Sequence, residues 1–273
     1  MNRCFQLCFG LAVSLLASLV QADSLRIGIA PHTSARVILA QYQPLRVFLE
    51  RALGTKVEIV TAPDFTEYAR RSLYQEYDLA ITTGHQARML QTDAGYQPLL
   101  TYGADFKAIV VVAGNSPAKG AKDMADKTVL GLSPTSLVTL WGIHWLKDQR
   151  VTNVTLRHVS AADSVAQLLL SGKAAAGFMS TANFSKLEPA VQARLRILEE
   201  SAPMAGRVYL LNNREMVRKA AVERALWAFA ETADGKVYFA ANKLGGYRKL
   251  REKELESMDR YADEVRQVLR KGP

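Results

Sequence analysis

Thiols are nearly absent from this sequence. Of 273 residues two are cysteine, Cys4 and Cys8, and both fall within the first ten positions. Everything that folds after them lacks thiols, which excludes a disulfide scaffold, a cysteine nucleophile and a Cys-ligated zinc site from the body of the chain. Histidine is scarce too: His32, His85, His144 and His158 are scattered, with no i, i+4 pair on a helix. That spacing argues against a histidine metal site, and no metal or other cofactor is expected. No HExxH, GxSxG or GxxxxGKS/T occurs, so no residue is assigned a catalytic role. Nine prolines and 17 glycines exclude collagen-like and low-complexity character, and 49% hydrophobic residues exclude a disordered chain.

One apolar stretch stands apart from the rest. Residues Met1 to Ala22 carry a single charge, Arg3, and Leu7 to Val20 read LCFGLAVSLLASLV. The stretch ends in Val20-Gln21-Ala22, with small residues at the two positions a signal peptidase reads. It is shorter than the roughly 20 residues needed to span a bilayer, so a cleaved export signal is favoured over an N-terminal anchor. No cysteine follows it, which argues against a lipoprotein. Removing residues 1–22 leaves 251 residues with 34 basic and 26 acidic side chains, a net charge of +8 and no cysteine. No later stretch is long and apolar enough to cross a membrane. The mature protein is expected in a bacterial periplasm.

The mature chain alternates strands and helices. β-Branched alternation marks a strand at Leu25 to Ala30, and an apolar period marks a helix at Ala35 to Leu53, interrupted by Pro44 and ended by Gly54. Lys56 to Val60 is a strand, Asp64 caps a helix to about Tyr74 with Glu67 three residues on, and Asp78 to Thr82 is a third strand. Crossovers of this length argue for parallel strands with helices on their faces. Lys107 to Val112 is almost wholly apolar, as a central, doubly covered strand would be. The pattern then restarts: strands at 128–132, 153–159 and 175–179, helices at Thr135 to Lys147 and Ser160 to Ser171, the latter capped by Ser160. Arg207 to Leu211 is a strand, and the remainder is helical around a turn at Leu244 to Tyr247.

Two such units are either domains in tandem or a hinged pair, in which the chain crosses into a second lobe near 112 and returns near 206. The hinged pair is preferred, with 107–112 and 207–211 side by side as the hinge. Lobe one is then 23–112 plus 206–273, and lobe two is 113–205. Ligands of parallel α/β sheets bind at the carboxyl ends of the strands, which here would face the cleft. Three polar segments follow strands: Pro31-His32-Thr33-Ser34, Thr82-Thr83-Gly84-His85 and Ser133-Pro134-Thr135-Ser136-Leu137-Val138-Thr139. The third is the most informative. Hydroxyls and free backbone N–H groups at a helix start suit an oxyanion, although Ser and Thr at that place also serve as plain N-caps.

At these residues the chain resembles the phosphate, phosphite and phosphonate substrate-binding proteins of ABC importers. The likeness runs from Leu25-Arg26-Ile27-Gly28-Ile29-Ala30-Pro31 through Tyr42-Gln43-Pro44-Leu45, Leu49-Glu50, Val57 to Ala62 and Tyr77-Asp78-Leu79-Ala80. It continues to Ser133-Pro134-Thr135-Ser136 and into the tail at Gly235-Lys236, Gly245-Gly246-Tyr247 and Tyr261-Ala262. The resemblance implies a type II periplasmic-binding-protein fold, two α/β lobes joined by a two-strand hinge, without catalysis. It implies a ligand site lined by His32, Thr33, Thr83, Gly84, His85, Ser133, Thr135, Ser136 and Thr139. Two departures stand out. Leu137-Val138 replaces the small residue usual after the Ser/Thr run. The stretch Gly177-Phe178-Met179-Ser180 lacks the acidic residues that aminoalkylphosphonate binders use for the ligand's ammonium.

The reading is therefore a monomeric periplasmic receptor that captures a small oxyanion and presents it to an inner-membrane ABC permease. The alternatives are a sensing receptor that reports to a membrane signalling protein, and an enzyme on the same fold. Nine of the 34 basic side chains of the mature chain lie in the tail, from Lys243 to Lys271, interleaved with six acidic residues. That is the pattern of a solvated helix face, and no nucleic-acid partner is expected.

Overall fold

The computed structural model describes residues 24–271, so the expected signal segment and both cysteines lie outside the described residues. In chain order the elements are β1 (Leu25–Ile29), α1 (Ala35–Leu53), β2 (Val57–Val60), α2 (Phe65–Leu73), β3 (Leu79–Thr83), α3 (Gly84–Asp93), β4 (Gln97–Tyr102) and β5 (Ala108–Ala113). Then come β6 (Lys127–Gly131), α4 (Leu137–Asp148), β7 (Val154–His158), α5 (Ala162–Leu170), β8 (Ala176–Ser180), the short α6 (Thr181–Phe184) and α7 (Pro189–Gln192), and β9 (Leu195–Glu200). The chain closes with β10 (Arg207–Leu211), α8 (Lys219–Glu231), α9 (Ala233–Ala241), β11 (Tyr247–Arg248) and α10 (Asp259–Lys271).

These strands form two mixed sheets, one per lobe. The first has the order β11-β4-β10-β3-β1-β2 and the second β7-β6-β8-β5-β9. β1 runs parallel to β2 and β3, and β6 parallel to β7 and β8, as the crossover lengths predict. The expected hinge is displaced. β5 lies inside the second sheet, antiparallel to β8 and β9, and β10 lies inside the first, antiparallel to β3 and β4. The two strands do not run side by side. An apolar strand such as AIVVVA gains most by burial on both faces, which a sheet centre provides and an exposed hinge does not. The crossings pair outside these strands, where Met204 N–H donates to the Phe106 carbonyl at 2.8 Å, next to the Ser201 N–H bond to Ala108 at the start of β5.

Several local signals behave as read. Asp64 Oδ1 accepts the Thr66 and Glu67 amides at 2.8 and 2.9 Å, and Gly54 ends α1 at φ +63°. Pro44, expected to interrupt α1, sits inside one continuous helix. Its lost backbone bond is outweighed by burial of Tyr42, Leu45 and Leu49 against the first sheet. Ser160 does not cap α5, whose N-cap is Ala161 without a side-chain bond. Helix α3 and strands β4 and β9 have no counterpart in the sequence pattern. α3 follows β3 with no loop between, so Gly84 and His85 are helical.

A tyrosine network closes the core of the first lobe beneath the strand ends. The Tyr102 hydroxyl lies 2.6 Å from that of Tyr238, 2.7 Å from Tyr209 and 3.3 Å from Tyr42, and the Tyr247 hydroxyl donates to Tyr209 at 3.0 Å. Burial raises the Tyr102 hydroxyl well above its ordinary range, so it stays protonated. Tyr102→Phe would leave the Tyr209 and Tyr238 hydroxyls without their shared acceptor. We expect a loss of about 1–3 kcal/mol, read as a lower urea midpoint at unchanged slope. An unaltered midpoint would show that the network is incidental.

Candidate functional site

The carboxyl ends of β1, β3, β6 and β8 carry the polar residues singled out from the sequence. At the end of β3, Thr83 is followed directly by Gly84, the first residue of α3. Gly84 is required by a close approach: its N–H donates to the Ala205 carbonyl at 3.3 Å, and a Cβ there would meet that oxygen at 2.7 Å. The return crossing thus lies against the start of α3. His85 is fully buried, and its Nε2 lies 2.9 Å from the carbonyl oxygen of Thr135 in the other lobe. A carbonyl only accepts, so Nε2 carries the proton. Nδ1 of the neutral ring then accepts from the Thr83 hydroxyl at 3.1 Å. Burial holds the ring neutral by lowering its pKa to about 4, against the opposing bond to Thr135.

Across the cleft, Ser133, Thr135, Ser136 and Thr139 form one compact group. The expected helix start at Thr135 is in fact a turn, and α4 begins at Leu137 with Ser136 as its N-cap. Ser136 Oγ accepts the Thr139 amide at 3.4 Å and lies 2.9 Å from the Thr139 hydroxyl. Thr139 Oγ1 also accepts the Leu132 amide at 2.8 Å, which pins the end of β6 to the first turn of α4. The Thr135 hydroxyl lies 3.2 Å from Ser133 Oγ and 3.1 Å from Thr66 Oγ1 on α2 of the first lobe. Thr135 and Thr139 are fully buried and Ser136 nearly so. Thr66 was not identified from the sequence, because a lone Thr in a helix carries no signal of what it faces.

The cleft is closed along this edge, and a second contact holds α4 from its side. Leu137, Leu140 and Trp141 of α4 pack with Tyr261, Ala262 and Val265 of α10, an element whose other contacts belong to the first lobe. His144 Nε2 sits 2.8 Å from Glu264, poorly aligned for a hydrogen bond, and its ring meets Tyr261 edge-on at 5.4 Å. Two open hollows on the surface lie elsewhere. One is lined by Lys122, Asp148 and Arg150, the other by Arg26, Asp78 and Arg214, and both are at the amino-terminal ends of the parallel strands.

His32 sits at the other end of the site, partly buried in the turn after β1, while its neighbour Thr33 is exposed. His32 Nδ1 donates to the Ala30 carbonyl at 2.9 Å and the ring meets Tyr42 edge-on. Burial and the nearby Arg207 charge lower its pKa to about 3. A neutral ring leaves Nε2 as an acceptor 3.5 Å from the Gln41 amide oxygen. Turning that amide by 180° places its NH2 on Nε2 and gives a partner to the otherwise unpaired, buried Gln41 nitrogen. Both rings are thus held neutral.

Sequence reasoning missed Arg207. It stands first in β10, opposite Thr83, and its side chain bonds Tyr42. The signal was present: a lone charge opening an otherwise apolar strand, RVYLL, at the return crossing. Among the described residues no group of three His, Cys, Asp or Glu could hold a metal, and no helix is long and apolar enough to cross a membrane.

A family model described as the periplasmic substrate-binding protein of ABC phosphonate transporters matches residues 27–255. No curated protein sequence matches significantly. Among solved structures, PhnD1 from Prochlorococcus marinus in complex with methylphosphonate has a TM-score of 0.77 at 16% identity, covering 90% of this chain and 99% of its own. A binding protein component of an ABC phosphonate transporter from Pseudomonas aeruginosa has a TM-score of 0.76 at 15% identity, covering 92% and 94%. A Xanthomonas citri protein bound to chloride ion has 0.76 at 18% identity, covering 89% and 99%. At these identities the structural likeness speaks for the fold.

The neutral state of His85 has a measurable consequence. The native ring titrates near 4 and the unfolded one near 6.5, so between these values the unfolded chain binds more protons. This contribution is complete above pH 6.5 and is lost as pH falls toward 4, amounting to roughly 3 kcal/mol. Urea unfolding should show stability falling across that window, and a shallower fall in His85→Gln. Equal slopes would mean that His85 is not held neutral.

Proposed function

The chain belongs to the family of periplasmic substrate-binding proteins of ABC phosphonate transporters, and from that premise we propose that its lobes close on a small oxyanion of the phosphonate, phosphite or phosphate type. Members of this family bind and deliver; they are not enzymes. The oxyanion sits at the start of α4, among Ser133, Thr135 and Ser136, and faces the Thr83-Gly84-His85 end of β3. His32, Thr33 and Thr139 complete the proposed site, with Thr139 acting through Ser136 and the end of β6. Residues 1–22 act as the cleaved export signal. The lobes divide at the paired crossings around Phe106 and Met204, and an inner-membrane permease receives the ligand.

One observation carries this reading: a buried, hydroxyl-rich turn at a helix start is in direct contact with the opposite lobe, through His85 to Thr135 and Thr66 to Thr135. The cap residue takes the Thr139 amide and its carbonyl takes that of Leu140. The amides of Leu137 and Val138 have no partner within a helix, and the positive end of the helix dipole lies behind them. The hydroxyls of Ser133, Thr135 and Thr66, now bonded to one another, supply donors for the oxygens of an anion that displaces those mutual bonds. Ordering both faces of the cleft around one ligand is a hinge closure about the crossing segments.

Calorimetry with phosphate, phosphite and methylphosphonate tests the proposal. At least one should bind, and Thr135→Val should weaken it by about tenfold to a hundredfold, the value of a hydrogen bond to a charged group. Its melting temperature should stay close to that of the parent. Absence of heat with all three anions would contradict the ligand class.

A further inference from the structure

Five hydroxyls meet in the tyrosine network, and four hydrogen bonds join them. Each bond consumes one proton, so one hydroxyl proton is left over. The geometry identifies it. Tyr247 donates to Tyr209 and Tyr102 donates to Tyr42. Tyr102 has then spent its proton, so Tyr209 and Tyr238 must donate to it. Every proton is directed toward Tyr42, whose oxygen also receives the Arg207 side chain. The Tyr42 proton has no acceptor among these groups, although Tyr42 is fully buried. A buried donor without an acceptor costs about 1–3 kcal/mol, and an acceptor supplied by a ligand removes that cost.

The surroundings of this proton are cationic. Arg207 lies where β10 begins, at the carboxyl ends of β1 and β3, and no carboxylate among the described residues pairs with it. Its side chain bonds the Tyr42 hydroxyl. Lys186 stands just after α6 at the carboxyl end of β8, on the opposite lobe, and is exposed. The Arg207 charge reaches both His32 and Lys186: together with burial it holds each below its usual range. The Arg207 charge therefore acts on a basic side chain of the opposite lobe.

We propose that Arg207, Lys186 and the Tyr42 hydroxyl form a second anion subsite, which receives a carboxylate on the far end of the ligand, so that the substrate class is a phosphonate bearing a carboxylate. A guanidinium fork beside a hydroxyl donor matches the two oxygens of a carboxylate. The same cations repel an ammonium, which sets this site against aminoalkylphosphonates. The inference rests on the oxyanion seat at α4 proposed above.

The test compares ethylphosphonate, 3-phosphonopropionate and 2-aminoethylphosphonate by calorimetry on the mature protein. We expect 3-phosphonopropionate to bind at least about tenfold more tightly than ethylphosphonate, and 2-aminoethylphosphonate to bind most weakly. Arg207→Gln should remove the carboxylate advantage and leave ethylphosphonate within about threefold of its parent value. Tyr42→Phe and the exposed Lys186→Gln should each reduce the advantage, and Lys186→Gln keeps the test open should a change at Arg207 disturb the fold. Equal binding of ethylphosphonate and 3-phosphonopropionate overturns the subsite alone. So does Arg207→Gln weakening both ligands equally, because Arg207 would then belong to the phosphonate seat. No binding of any of the three overturns the phosphonate reading itself.

Discussion

His85 donates from Nε2 to the carbonyl oxygen of Thr135 across the cleft, and the rest of the site is arranged around that bond. The bond requires a neutral ring of one tautomer, which burial enforces and the Thr83 hydroxyl completes by donating to Nδ1. It requires His85 to lie in the first turn of α3, and hence β3 to pass into α3 without a loop. It requires Gly84 before it, because the return crossing lies against that backbone. On the far side it holds the turn that caps α4. One hydrogen bond thus brings a helix start, two crossings and two sheets into register.

The two ends of the cleft differ in electrostatic character. At α4 the donors are neutral hydroxyls and backbone amides backed by a helix dipole. At β10 they are a guanidinium, an ammonium and a phenol. Hydroxyls of Ser and Thr accept as well as donate, so they can satisfy one another while the site is empty, as Thr66, Ser133 and Thr135 do. Cations have no such recourse. The charge in the tail contrasts with both: Arg248 pairs with Glu254 and Arg266 with Asp93 and Asp263, so much of that basic charge is already compensated.

Much of the architecture was legible in the sequence because it rests on local signals. The αL glycine after α1, the Asp64 cap and the apolar β5 each state a short-range preference that the fold obeys. The two-lobed α/β class followed from the order of elements and from the family resemblance. What stayed hidden depends on contacts distant in sequence. α3 has a weak apolar pattern and starts on the polar residues Gly84 and His85, so it resembled a loop. The apolar strand β5 resembled a hinge only because it stands at the crossing; burial on both faces draws it into a sheet centre. The hydroxyl turn at Ser133 to Thr139 was visible as a helix start, whereas its partner Thr66 is 69 residues away from Thr135. Arg207 was visible only as a strand residue, since its neighbours Tyr42 and Lys186 come from α1 and from the other lobe.

The proposed anion is held by the first turn of α4 while the two lobes close around it. Amide hydrogen exchange with and without methylphosphonate addresses it most directly, because exchange reports individual backbone N–H groups. Slowed exchange is expected at Leu137 and Val138, accompanied by slowed exchange at the crossings around Phe106 and Met204. Binding of methylphosphonate with unchanged exchange at Leu137 and Val138 would contradict it.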